Sequence, residues 1–140
     1  PGFGEPLVNI GNALSAQGLT QEAMAAYQKA LTDDPKCANA PYRLGRLYDQ
    51  LGEASKAEES MVQALKIQPR FPEALNSLGV LKAQRGDLRG AIQDFERVLE
   101  IRPLHTKAAR NLEQANEDLA LVSSSIRSVT QEESGDHPTP

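Results

Sequence analysis

The sequence predicts an all-α chain made of three stacked helical hairpins and a closing helix. Three observations carry that reading. Residues recur every 34 positions without insertion, and glycine and proline stand at fixed places in each period. Aromatic residues make up only 4 % of the chain and Trp is absent, so a core must be built mainly from Leu, Ala, Ile and Val. Such small side chains suit helices that approach one another closely better than they suit sheets.

Five columns keep the period: Gly11, Gly45 and Gly79; Gly18, Gly52 and Gly86; Ala23, Ala57 and Ala91; Leu31, Leu65 and Leu99; Pro35, Pro69 and Pro103. The first glycine column lies inside a helical pattern, where Gly costs about 1 kcal/mol against Ala. That cost is tolerable where a neighbouring helix must come too close for a side chain. The second column falls where the first helix should stop, since Gly accepts positive φ. Thr20 and Asp87 follow as expected N-caps of the next helix. The alanines face the close approach from that second helix. Tyr27, Met61 and Phe95 plug the hairpin one turn on, and Ala30, Ala64 and Val98 continue the buried stripe. The prolines stop the second helix, because a helix interior accepts neither their ring nor their missing N–H.

The runs Ile10-Gly11-x-x-Leu14, Leu44-Gly45-x-x-Tyr48 and Leu78-Gly79-x-x-Lys82 resemble the tetratricopeptide repeat (TPR) family. The resemblance places repeats at 4–37, 38–71 and 72–105 and implies a right-handed α-solenoid. Leu7, Pro41 and Leu75 replace the family's early aromatic, and Lys82 replaces its usual Tyr or Leu. Pro41 is acceptable in a first helical turn, and Lys82 is expected to snorkel. The Gly11-Asn-Ala-Leu and Tyr27-Gln-Lys-Ala-Leu segments are also somewhat similar to the repeats of O-linked N-acetylglucosamine transferases. Asn9 and Asn111 match their Asn ladder, whereas Arg43 and Ser77 depart from it.

Residues 106–130 continue the register as a capping helix, with Ala109 and Leu112 where Leu75 and Leu78 fell. Glu113 takes the glycine position, so no second helix is expected after it. Apolar residues run on through Leu119, Val122, Ile126 and Val129 at spacings of 3, 4 and 3, a heptad-like seam. Either Ser123, Ser124 and Ser125 fray the helix, or it extends to about Thr130 and exposes a second interface. Residues 131–140 are polar and rich in helix breakers, and are expected to form a disordered tail.

In the family, first helices line a concave face. Carried over, that face holds Asn9, Asn12, Tyr42, Arg43, Arg46, Asn76 and Arg110 as a candidate peptide-binding groove, with Glu5, Val8, Ser15, Gln50 and Glu73 nearby. Asn donates and accepts at once, so a spaced set can hold a peptide backbone. Arginines can take a carboxylate bidentately. The competing reading is a merely solvated face. Members that clamp the acidic C-terminal tails of heat-shock chaperones carry Lys, Asn, Asn, Lys and Arg at five places. Here those read Val8, Asn12, Arg43, Glu73 and Ser77, so a chaperone tail is not the expected ligand.

The net charge of −4 argues against nucleic acid and anionic membrane as partners. The single Cys37 makes neither an internal disulfide nor a Cys cluster, which favours a reducing, cytoplasmic setting. The first residues, Pro1-Gly2-Phe3, lack a Met and suit an excised or processed piece. His105 and His137 join no H-E-x-x-H or G-x-S-x-G motif, so no catalytic residue, metal or cofactor is expected. The favoured function is an adaptor binding a peptide or partner domain in the groove. The alternatives are self-assembly, as a homo-oligomer through the C-terminal helix, and the substrate-recruiting module of a larger enzyme.

Overall fold

Glycine sets the three hairpin turns. Gly18, Gly52 and Gly86 adopt φ of 79°, 78° and 90°, a left-handed backbone that costs other residues about 1–2 kcal/mol. At each, the glycine N–H bonds back to Ser15, Asp49 or Ala83. The next N–H reaches Leu14, Tyr48 or Lys82 at 2.9–3.0 Å, which satisfies the last carbonyls of the helix in a Schellman turn.

The computed structural model describes residues 2–135, which form seven helices and no strand. These are α1 (Gly4–Ala16), α2 (Thr20–Asp33), α3 (Asn39–Gln50), α4 (Ala54–Ile67), α5 (Pro72–Gln84), α6 (Leu88–Ile101) and α7 (Thr106–Gly135). Neighbours in sequence are neighbours in space: α1–α2, α3–α4 and α5–α6 are hairpins, and α2–α3, α4–α5 and α6–α7 join them into a stack. The second helices stop at Asp34, Gln68 and Arg102, whose backbones are extended at φ/ψ of −137°/87°, −134°/92° and −131°/91°. Each precedes a proline, whose ring excludes the helical conformation for the residue before it.

The first glycine column explains the tightness of the hairpins. A Cβ on Gly11 would lie 2.5 Å from the Tyr27 ring, and one on Gly79 would lie 2.6 Å from the Phe95 ring. At Gly45 the nearest atom is the Met61 methyl, 3.0 Å away. Tyr27, Met61 and Phe95 are all but fully buried, as are Ala23, Ala57 and Ala91. Burying a plug of that size stabilises the fold by about 1.5–3 kcal/mol.

Four details depart from the sequence reading. Asp87 caps α6 by accepting from the Gly90 N–H at 3.0 Å, but Thr20 is the first helical residue of α2 and Leu19 holds the cap position without a side-chain bond. Lys82 does not snorkel to solvent; its Nζ lies 2.9 Å from Oδ2 of the buried Asp94. Ala109 is exposed and Ala108 and Ala115 are buried instead, because among the described residues α7 packs on α6 and α5 and no further helix covers Ala109. The serine run does not interrupt α7: Ser128 and Thr130 return hydroxyl hydrogen bonds to carbonyls three or four residues earlier. The helix continues to Gly135, past the boundary expected at 130. The rest of the expected tail, 136–140, lies outside the described residues.

Candidate functional site

First helices α1 and α3 are in contact, as are α5 and α7, and their polar side chains line three hollows. One of about 390 Å³ lies between α1, α2 and α3 and is lined by Asn12, Ser15, Tyr27, Arg43, Arg46 and Gln50. A second of about 200 Å³ involves Arg46, Asp49, Asn76 and Ser77. A third of about 260 Å³ involves Gln84, Asn111, Gln114 and Asp118. A larger hollow lies over the α6–α7 turn at 101–107, but one stretch of chain forms it and Leu104 stands almost wholly in solvent there.

The first hollow has the most developed chemistry. The Tyr27 hydroxyl donates to Asn12 Oδ1 at 2.7 Å. That bond fixes the Asn12 amide and leaves its NH₂ group for another acceptor. The guanidinium carbons of Arg43 and Arg46 sit 5.7 Å and 5.9 Å from the Tyr42 ring centroid, in cation–π range. Neither forms an ion pair with a carboxylate among the described residues, whereas Arg85 pairs with Glu58 and Arg102 with Glu73. Arg43 Nε is sealed from solvent without a hydrogen-bond partner. Burial pushes the Tyr27 hydroxyl above its ordinary 10.0, and the charges of Arg43 and Arg46 pull against that shift. The hollow is therefore a cationic recess with an oriented amide donor at its wall.

Among the sequence-derived residues, Asn12, Arg43 and Arg46 come together. Tyr42 is 9 % exposed and packs edge-on against Phe71 at 5.0 Å. It is a shelf for the two arginines and not an open aromatic contact. Val8 is buried in the cluster that holds Tyr27. Asn76 borders the second hollow and accepts a 3.1 Å hydrogen bond from Asn111. Asn9 and Arg110 are exposed and border none of the three. The sequence reading treated Tyr27 only as a plug. Its signal was a hydroxyl in a column otherwise filled by Met61 and Phe95.

Along α7, Leu119 is half-buried, while Val122, Ile126 and Val129 are 48 %, 59 % and 55 % exposed. The seam thus leaves the stack and runs into solvent. Cys37 is buried and free; burial, with Glu5 accepting from its thiol at 3.5 Å, pushes its pKa up from 9.0, away from reactivity. Among the described residues no group of three or more His, Cys, Asp or Glu could hold a metal ion, and no helix is long and apolar enough to cross a membrane.

Two tetratricopeptide repeat family profiles match the chain, over residues 14–81 and 73–102. The chain belongs to the tetratricopeptide repeat family. Its fold is the TPR solenoid, and solved TPR domains superpose on it closely. The first TPR of Spaghetti (RPAP3), bound to the HSP90 peptide SRMEEVD, is 27 % identical with a TM-score of 0.79, covering 84 % of this chain and 93 % of that one. The first TPR domain of human RPAP3 is also 27 % identical, with a TM-score of 0.79 and coverage of 88 % and 97 %. The second TPR domain of human RPAP3, in complex with the HSP70 peptide SGPTIEEVD, is 23 % identical with a TM-score of 0.72, covering 81 % and 98 %, and speaks for the fold. A comparison with curated proteins gives no match.

The Spaghetti complex corrects the expectation that excluded chaperone tails. That exclusion counted side chains at five places, of which only Asn12 agreed. Here Arg43 fills one of those five places in place of the family's Asn, and Arg46 lines the same hollow one turn on. None of these structures supports the transferase-like resemblance.

Proposed function

We propose that this TPR chain is a protein-interaction adaptor whose concave groove receives an acidic peptide, including C-terminal segments of the heat-shock tail kind. One observation carries the reading: Arg43 and Arg46, with no carboxylate of their own, stand beside the Asn12 amide in one recess. A peptide carboxylate there gains charge-assisted hydrogen bonds, each contributing about 1.5–3 kcal/mol. Similarity to the Spaghetti domain and its SRMEEVD ligand supports the choice of probe.

The test is fluorescence anisotropy with labelled SRMEEVD, its C-terminally amidated form and a scrambled neutral peptide. Binding is expected for the free acid and should weaken at least tenfold in Arg43→Ala/Arg46→Ala and with rising salt. If the double variant binds as well as the parent, or no acidic peptide binds, the groove reading fails.

A second reading, self-association through the seam of α7, is favoured by the exposure of Val122, Ile126 and Val129 beyond the stack. Sedimentation with and without residues 123–140 decides it, since a monomer in both removes it.

A further inference from the structure

Each junction between hairpins buries the same three columns. Ala40, Leu44 and Leu47 of α3 meet Ala23, Tyr27 and Ala30 of α2. Ala74, Leu78 and Leu81 of α5 meet Ala57, Met61 and Ala64 of α4. In α7, buried Ala108 and Ala115 and half-buried Leu112 meet Phe95, Val98 and Ala91 of α6. Subtracting 34 from the α3 set gives Pro6, Ile10 and Ala13 on α1, all apolar and all exposed. Ile10 is 53 % exposed, against 7 % for Leu44 and 4 % for Leu78.

The chain ahead of α1 repeats the relationship. Pro1 and Phe3 stand 34 residues before Pro35 and Cys37, and 68 before Pro69 and Phe71. Phe71 is 8 % exposed because it packs on Tyr42 of the preceding hairpin, whereas Phe3 is 65 % exposed. The other end of the stack looks different. On α7 the face that would receive a second helix carries Glu113 in the glycine column and Asn116 in the Leu14/Tyr48/Lys82 column, both exposed. A polar outer face is what a terminal helix requires, and α1 lacks one.

We infer that the outer face of α1, formed by Phe3, Pro6, Ile10 and Ala13, is an inter-repeat junction built to receive the second helix of a further TPR hairpin stacked ahead of it. The occupant is identified by continuity with three junctions of the same register. A second copy of the chain is a poor candidate, because its complementary stripes on α2, α4 and α6 are already buried in its own stack.

The experiment replaces residues 1–3 with a duplicate of residues 38–71, which preserves the 34-residue register, and follows thermal unfolding and amide exchange across α1. The expected result is one cooperative transition at higher Tm and at least tenfold slower exchange in α1. Ile10→Lys should abolish both gains in the extended chain and leave the Tm of the 140-residue chain unchanged. Separate melting of the added hairpin, unchanged exchange in α1, or indifference to Ile10→Lys overturns the inference. So does a 140-residue chain that sediments as a dimer and becomes monomeric on Ile10→Lys, because the occupant would then be a second copy.

Discussion

Lys82 Nζ lies 2.9 Å from Asp94 Oδ2 inside the third hairpin, with Asp94 almost entirely removed from solvent. The equivalent positions in the first repeat are Leu14 and Ala26, and in the second Tyr48 and Ser60. One repeat thus holds an ion pair where the others hold uncharged contacts. Lys82→Leu strands a buried carboxylate and should cost about 3–5 kcal/mol in urea unfolding. Lys82→Leu/Asp94→Ala copies the first repeat and should recover most of that loss. A neutral single variant would show that the two groups are not coupled.

Asp94 also gives a pH signature. Burial raises its pKa above the ordinary 3.8, with Lys82 opposing the shift. A carboxyl with a raised folded-state pKa binds its proton more tightly folded than unfolded. Its contribution is full below 3.8 and is lost as pH rises through the folded value. Relative to Asp94→Asn, the parent should therefore gain stability as pH falls toward 4. Urea midpoints of the two proteins at pH 7 and pH 4 give the comparison, and a parent that loses ground on acidification contradicts it.

The glycine column predicts unequal costs for one substitution. Gly→Ala in a helix ordinarily gains about 1 kcal/mol. At Gly79 the new Cβ meets the rigid Phe95 ring at 2.6 Å, so overpacking should win by about 1–3 kcal/mol. At Gly45 the closest atom is a mobile methionine methyl at 3.0 Å, and the cost should be smaller. Equal Tm shifts for Gly79→Ala and Gly45→Ala would refute this account.

The two turn residues read as caps should also behave differently. Asp87→Ala removes the acceptor of the Gly90 N–H and should cost about 1 kcal/mol. Thr20→Ala removes no cap bond and should fall within about 0.5 kcal/mol of the parent.

Tyr27→Phe separates scaffold from recess. The ring still fills the space beside Gly11, so the stability loss should stay near 1 kcal/mol, the worth of one hydrogen bond. Without that bond the Asn12 amide is no longer held, and affinity for an acidic peptide should drop several-fold by anisotropy. A variant that loses stability but no affinity would separate Tyr27 from binding.

These residues also show what was legible in the sequence. The scaffold was, because the requirements at Gly11, Gly18, Ala23 and Pro35 are set by local backbone and close approach, and so recur every 34 residues. Asn12, Arg43 and Arg46 were legible as first-helix residues, since the helical register fixes which face they occupy. The Tyr27 bond, the burial of Tyr42 and the Lys82–Asp94 pair were not, because each depends on a partner 15, 29 or 12 residues away, on a neighbouring helix or at its cap. The length of α7 was open because the serines between Val122 and Ile126 are weak helix formers whose hydroxyls can bond either back to the helix or to water.

The three near-identical joints at Asp34, Gln68 and Arg102 would make the proposed groove a ruler. At each joint the chain turns from a second helix into the next first helix through nearly the same backbone angles. Adjacent packed helices lie about 10 Å apart, and an extended peptide covers that distance in about three residues. On the proposed reading, a peptide lying across the first helices would be measured in triplets, and moving one of its acidic residues by a single position should put it out of phase with the arginines of α3.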